Sequence, residues 1–78
     1  MNNILIPHAK LTTKITKHLK YSTCIIFVDS KYYACRINKD VDFKDINSGD
    51  NIIIGGILRN SKGIAMDRNI TVDYIDII

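Results

Sequence analysis

The sequence predicts a small all-β barrel, and three segments carry this prediction. Residues 51–59 are rich in isoleucine and follow a Ser48-Gly49-Asp50 turn, which is typical of a buried strand after a tight turn. Residues 23–37 form two apolar strands on either side of Asp29-Ser30, as in a hairpin. Residues 70–78 alternate between apolar and polar side chains, which indicates a closing strand.

The chain length and composition favour one globular domain. With 78 residues there is room for a single core, and a hydrophobic content of 46% with 24% charged residues is that of a folded protein. We expect a tail at residues 1–8, in which Ile4, Leu5 and Ile6 can pack as a short extra strand before Pro7, and one barrel domain at residues 9–78. No apolar run approaches the roughly 20 residues that span a bilayer, and the first residues lack the features of a secretory signal, so we expect a cytoplasmic protein without membrane contact.

Residues 9–20 fit two interpretations. Leu11, Ile15 and Leu19 are spaced by four, which suits a helix, but they also alternate with polar residues, as in a strand. Three threonines within residues 12–16 favour the strand. A strand is therefore the prediction, and an N-terminal helix is the alternative.

The hairpin prediction fixes which side chains share a face. If Asp29 and Ser30 are the two loop residues, Phe27 pairs with Tyr32 and Cys24 with Cys35. One face is then almost wholly apolar and predicted to be core; it comprises Cys24, Ile26, Val28, Tyr33, Cys35 and Ile37. The other face comprises Thr23, Ile25, Phe27, Tyr32, Ala34 and Arg36.

The second half of the chain predicts a short link and two more strands. Residues 38–50 are polar, have room for one or two helical turns, and carry Val41, Phe43 and Ile46 as apolar anchors. Paired glycines within residues 51–59 predict a bend or a close approach of another backbone. Residues 60–63 have turn chemistry, and residues 64–66 can continue as a strand before the closing one.

In their order, these segments resemble a known family. Phe27-Val28-Asp29-Ser30 before a third strand, residues 48–55 in the fourth and residues 70–75 in the fifth are similar to OB-fold domains that bind single-stranded nucleic acid, such as those of replication protein A. The resemblance covers residues 9–78 and implies a five-stranded Greek-key barrel. The link is short for the family's capping helix, and the first strand lacks a mid-strand glycine. An Sm-like or SH3-like barrel with a helix at residues 9–20 is the alternative fold.

The resemblance also implies where a ligand would lie. In such domains nucleic acid crosses the face of the second and third strands, where aromatic side chains stack on bases and cations meet phosphates. Carried over to this chain, the implied binding residues are Lys14, His18, Lys20, Phe27, Tyr32, Arg36 and Lys62. Phe27 and Tyr32 have the alternative interpretation of an ordinary aromatic pair or a contact for a partner chain.

The charge distribution agrees with one positive face. Residues 1–40 hold seven Lys/Arg against two Asp, whereas residues 41–78 hold four against six. A basic half can follow phosphates, although so few lysines can equally serve solubility.

Catalysis and cofactor binding have little support in the sequence. His8 and His18 have no nucleophile or carboxylate arranged beside them, and no closely spaced Cys or His pair predicts a metal site. Cys24 and Cys35 are expected to be reduced and buried.

Two functions follow as hypotheses. The first is a non-catalytic single-stranded DNA- or RNA-binding module for replication, repair or RNA handling, acting as a small subunit of a larger complex. The alternative is a protein-interaction barrel, either an accessory subunit or an inhibitor, that binds no nucleic acid itself. An enzyme, a cofactor and a metal are not expected.

Overall fold

All regular secondary structure in the described residues is β-strand. The computed structural model describes residues 2–43, 45–59 and 69–78, and no helix occurs within them. The strands are β1 (Asn2–Leu11), β2 (Thr16–Lys17), β3 (Tyr21–Val28), β4 (Lys31–Asn38), β5 (Asn51–Arg59) and β6 (Asn69–Ile77). The predicted all-β class is confirmed, and the alternative with an N-terminal helix is wrong.

The strands close into a five-stranded barrel with one short additional strand. The order is β1-β5-β6-β4-β3-β2, and the sheet closes because Lys10 and Leu11 of β1 also pair with Phe27 and Ile26 of β3. Only the β4–β6 pair is parallel; every other pair in the described sheet is antiparallel. This arrangement is consistent with the OB-type barrel that the sequence predicts.

The β3–β4 hairpin has the predicted register. Phe27 is opposite Tyr32, and Cys24 is opposite Cys35. The two loop residues, Asp29 and Ser30, have φ values of 50° and 62°, as a type I′ turn requires. Such a turn matches the twist of the flanking strands, so the short loop fixes the pairing of the whole hairpin.

The N-terminal strand is longer than the short strand that the sequence allows at Ile4, Leu5 and Ile6. β1 begins at Asn2 and pairs with β5 through most of the segment expected to be a tail, with a register shift between Ile6 and Ala9. The predicted strand at residues 9–20 is interrupted after Leu11, where the Thr12 amide still donates to the Ile25 carbonyl at 2.9 Å but side-chain hydroxyls take part in the hydrogen bonds to β3. The Thr12 hydroxyl donates to the Ile25 carbonyl at 2.8 Å, and the Ile25 amide donates to Thr13 Oγ1 at 2.9 Å.

The paired glycines lie at a bulge between β5 and β6. Gly55 is opposite Tyr74 while Gly56 is opposite Val72, so one residue of β6, Asp73, is left over. A Cβ atom at Gly56 would overlap the Thr71 carbonyl. The predicted close approach of backbones is therefore confirmed.

The link between β4 and β5 is irregular in its described part, residues 39–43 and 45–50, and forms no helical turn there. Its end is fastened to the end of β1, since the Leu11 amide donates to the Asp50 carbonyl at 2.9 Å and the Gly49 amide to the Leu11 carbonyl at 2.7 Å. As predicted, its apolar residues Val41, Phe43 and Ile46 pack against the core. The turn and strand predicted at residues 60–66 lie outside the described residues.

The barrel interior is apolar throughout the described part of the chain. Its buried residues are Ala9, Leu11, Cys24, Ile26, Cys35, Ile37, Ile52, Ile54, Ile70, Val72 and Ile75. Because these side chains point inward, alternate residues of β3 and β4 must point outward. Three of the predicted binding residues, Phe27, Tyr32 and Arg36, lie on the outer side of this hairpin.

Candidate nucleic-acid interface

Two aromatic contacts lie on the outer face of the β3–β4 hairpin. At the turn end, the rings of Phe27 and Tyr32 are 4.8 Å apart and inclined by 53°, a tilted cross-strand pair. Phe27 is partly covered, whereas Tyr32 is 59% exposed. One aromatic ring is therefore held by its neighbour and still accessible to a ligand.

The second contact lies at the other end of the same face. The Arg36 guanidinium carbon is 4.3 Å from the centre of the Tyr21 ring, and the His18 ring is 5.0 Å from the same ring. His18 Nε2 is 3.1 Å from Thr23 Oγ1, and the His18 amide donates to the Tyr21 carbonyl at 2.8 Å. Tyr21 thus supports an exposed arginine and an exposed histidine.

A groove of about 730 Å³ lies across β3 and β4 and is bordered by β6 and the segment before β2. Its lining residues are Thr13, Lys14, Thr16, Thr23, Cys24, Ile25, Ala34, Cys35, Arg36, Asn69, Ile70 and Thr71. Lys14 and Arg36 are its only charged lining residues among those described, and both are exposed. A groove whose described lining has two cations, several hydroxyls and no carboxylate suits an anionic polymer.

The predicted site residues fall into separate places. Lys14 and Arg36 line the groove, His18 lies beside Tyr21, and Phe27 and Tyr32 form the pair at the turn. Lys20 is exposed just before β3, outside the lining of the groove. Lys62 lies outside the described residues.

Tyr21 is the residue of this surface that the sequence analysis missed. The predicted hairpin begins at Thr23, whereas β3 begins two residues earlier at Tyr21, which pairs with Asn38. Extending the alternation of Thr23, Ile25 and Phe27 by two residues places Tyr21 on the same outer face. The alternation of side chains along β3 was therefore the sequence signal that could have identified Tyr21.

The two cysteines lie behind the groove in the barrel interior. They are free, directly opposite each other, and 5% and 3% exposed. A hydrogen bond from the Cys35 thiol lowers the pKa of Cys24, while the same bond and burial raise the pKa of Cys35. Both cysteines are thus free and buried, as the sequence predicts.

The surface around the link between β4 and β5 is acidic, in contrast to the cationic groove. A second cavity, of about 450 Å³, lies between the link and β6 and is lined by four aspartates together with Phe43 and Tyr74. Its carboxylates belong to Asp40, Asp42, Asp73 and Asp76. The charge asymmetry seen along the sequence is therefore also a separation in space, with the cationic groove on one side and this acidic cavity on another.

The described residues contain no helix, and hence none able to cross a membrane, and no group of three His, Cys, Asp or Glu placed to hold a metal ion. No protein-family model and no curated protein matches the chain.

Proposed function

We propose that this chain is a non-catalytic binding module for single-stranded DNA or RNA. The supporting observation is a cationic groove on the outer face of β3 and β4 with an aromatic contact at each end. Bases stack on aromatic rings and guanidinium planes without regard to sequence, and cations neutralise phosphates. A small cytoplasmic subunit of a replication, repair or RNA-handling complex is the setting we propose for it.

The groove favours a single strand over a duplex for a steric reason. Stacking requires the flat face of an unpaired base, and the aromatic side chains lie on the surface of the sheet rather than on a projecting helix or ribbon that could enter a duplex groove. Threonine hydroxyls beside Lys14 and Arg36 offer hydrogen bonds to phosphate and sugar oxygens.

Fluorescence anisotropy of labelled single-stranded DNA and RNA oligomers tests this proposal at low and physiological salt. We expect binding that weakens steeply with salt and falls about tenfold in Tyr32→Ala, because stacking on one ring contributes on the order of 1–3 kcal/mol. Tyr74→Ala is the matched control, since Tyr74 is 49% exposed but lies at the acidic cavity. No binding at low salt by the folded wild-type chain would refute the proposal.

A protein-interaction barrel is a second candidate, supported by an apolar patch elsewhere. Leu5 and Tyr74 are 64% and 49% exposed, and both flank Gly55 across three neighbouring strands. Exposed apolar side chains that adjoin in this way are typical of protein contacts. Sedimentation equilibrium of wild type and Leu5→Lys tests self-association through this patch. A wild-type chain that stays monomeric at all concentrations would exclude self-association through the patch.

A further inference from the structure

We infer that the outer face of the hairpin holds one nucleic-acid strand at two separate anchors, so that only an oligomer long enough to reach both binds tightly. This inference rests on the proposed function. The first anchor is the Phe27–Tyr32 pair, and the second is Arg36 stacked on Tyr21 with His18 alongside.

The separation of the anchors follows from the strand geometry. Tyr21 and Phe27 are six residues apart on β3 and point to the same face, and antiparallel strands rise about 3.4 Å per residue, which gives about 20 Å between them. A strand that stays stacked advances about 3.4 Å per nucleotide, so about six nucleotides cover that span, and an unstacked strand needs fewer. This length lies within the range of about 4–16 nucleotides that OB-type barrels occupy.

Between the anchors none of the described outward residues is aromatic, and the surface there carries groups suited to contact with a nucleic-acid backbone. The outward residues there are Thr23, Ile25 and Ala34, with Lys14 across the groove. A ligand is therefore expected to stack at its two ends and to pass its phosphates over the middle.

Arg36 and Tyr21 have different roles at the second anchor. Arg36 is exposed, whereas Tyr21 is half-buried, and the guanidinium carbon of Arg36 lies 4.3 Å from the centre of the Tyr21 ring. A base can stack on the guanidinium from the open side. Tyr21 is thus a positioning residue for the Arg36 guanidinium.

The test measures the affinity of wild type for oligothymidylates of 2 to 12 nucleotides at low salt. Two anchors on one ligand act as linked sites, so we expect affinity to rise more than tenfold between oligomers of two or three nucleotides and those of about eight, and then to level off. An affinity that grows only in proportion to oligomer length would overturn the inference while leaving the proposed function intact. No binding at any length would refute both.

Variants separate the two anchors. For oligomers of about eight nucleotides, Tyr32→Ala and Arg36→Ala should each weaken binding about tenfold. For two or three nucleotides, each should weaken it only about twofold, because the short ligand moves to the remaining anchor. Equal losses at both lengths would contradict the presence of two anchors.

The role of Tyr21 is tested by exchange of its ring. Tyr21→Phe should bind long oligomers as tightly as wild type does. Tyr21→Leu should lose as much affinity as Arg36→Ala. The double variant Tyr21→Leu/Arg36→Ala should lose no more affinity than either single variant. Arg36→Lys keeps the charge and should still lose most of the affinity, since lysine has no plane on which a base can stack. Additive losses in the double variant would show that Tyr21 does not act through Arg36.

Discussion

Gly56 of β5 packs directly against the Thr71 carbonyl of β6, and no side chain fits between the two backbones. The contact lies at the bulge where Asp73 is left over from the pairing. Since bulges bend a sheet and increase its twist, this approach of two backbones helps the sheet to close.

Gly56→Ala is therefore expected to destabilise the barrel by at least about 2 kcal/mol, because the added methyl group requires the two strands to separate. Urea unfolding followed by circular dichroism measures the change. Gly55→Ala is the matched control: its Cβ would lie 3.7 Å from the nearest atoms, an ordinary contact, and stability should change by less than about 1 kcal/mol. Equal effects of the two substitutions would contradict the account of the bulge.

Leu11 and Leu19 provide a second matched pair. Leu11 is fully buried, whereas Leu19 is 87% exposed. Leu11→Ala should cost about 2–5 kcal/mol through the cavity it leaves, and Leu19→Ala should stay within about 0.5 kcal/mol of wild type. Comparable losses in urea unfolding would instead favour the helix in which both leucines share one face.

The buried cysteines predict how stability depends on pH. The pKa of Cys35 is raised in the folded state by its hydrogen bond to Cys24 and by burial, so the unfolded chain releases this proton first. Stability associated with Cys35 is complete below its ordinary pKa of 9.0 and is lost as the pH rises further, by up to about 1.4 kcal/mol per pH unit.

Urea unfolding of wild type and of the double variant Cys24→Ala/Cys35→Ala between pH 7 and pH 10.5 isolates the titration of the cysteine pair. The stability difference between the two proteins should move against wild type as the pH rises above the ordinary cysteine pKa, because the folded chain keeps the Cys35 proton that the unfolded chain has released. Parallel curves throughout would show that the Cys35 pKa is the same in both states.

The hairpin was predictable in detail because its signals are local. The two-residue turn at Asp29-Ser30 sets the register, and alternation then assigns Phe27 and Tyr32 to the outside and Cys24 and Cys35 to the inside. The glycine pair was similarly informative, since glycines within a β-branched strand predict a bend or a close backbone approach, and the close approach occurs at Gly56.

The first strand and the second anchor were harder to predict because they depend on distant partners. The interruption after Leu11 comes from the Thr12 and Thr13 hydroxyls, which bond Ile25 on another strand. The role of Tyr21 depends on Arg36, fifteen positions away and diagonal to it across the hairpin. Periodicity within one segment cannot reveal contacts of this kind.

The most direct test of the central claim is a two-dimensional amide NMR titration of the folded chain with a ten-nucleotide oligothymidylate. The account predicts that shifts concentrate on β3 and β4 and on residues 13–18, with Tyr21, Phe27, Tyr32 and Arg36 among the most affected. Shifts confined to Leu5, Gly55 and Tyr74 would place the ligand on the apolar patch around Gly55 and contradict the account.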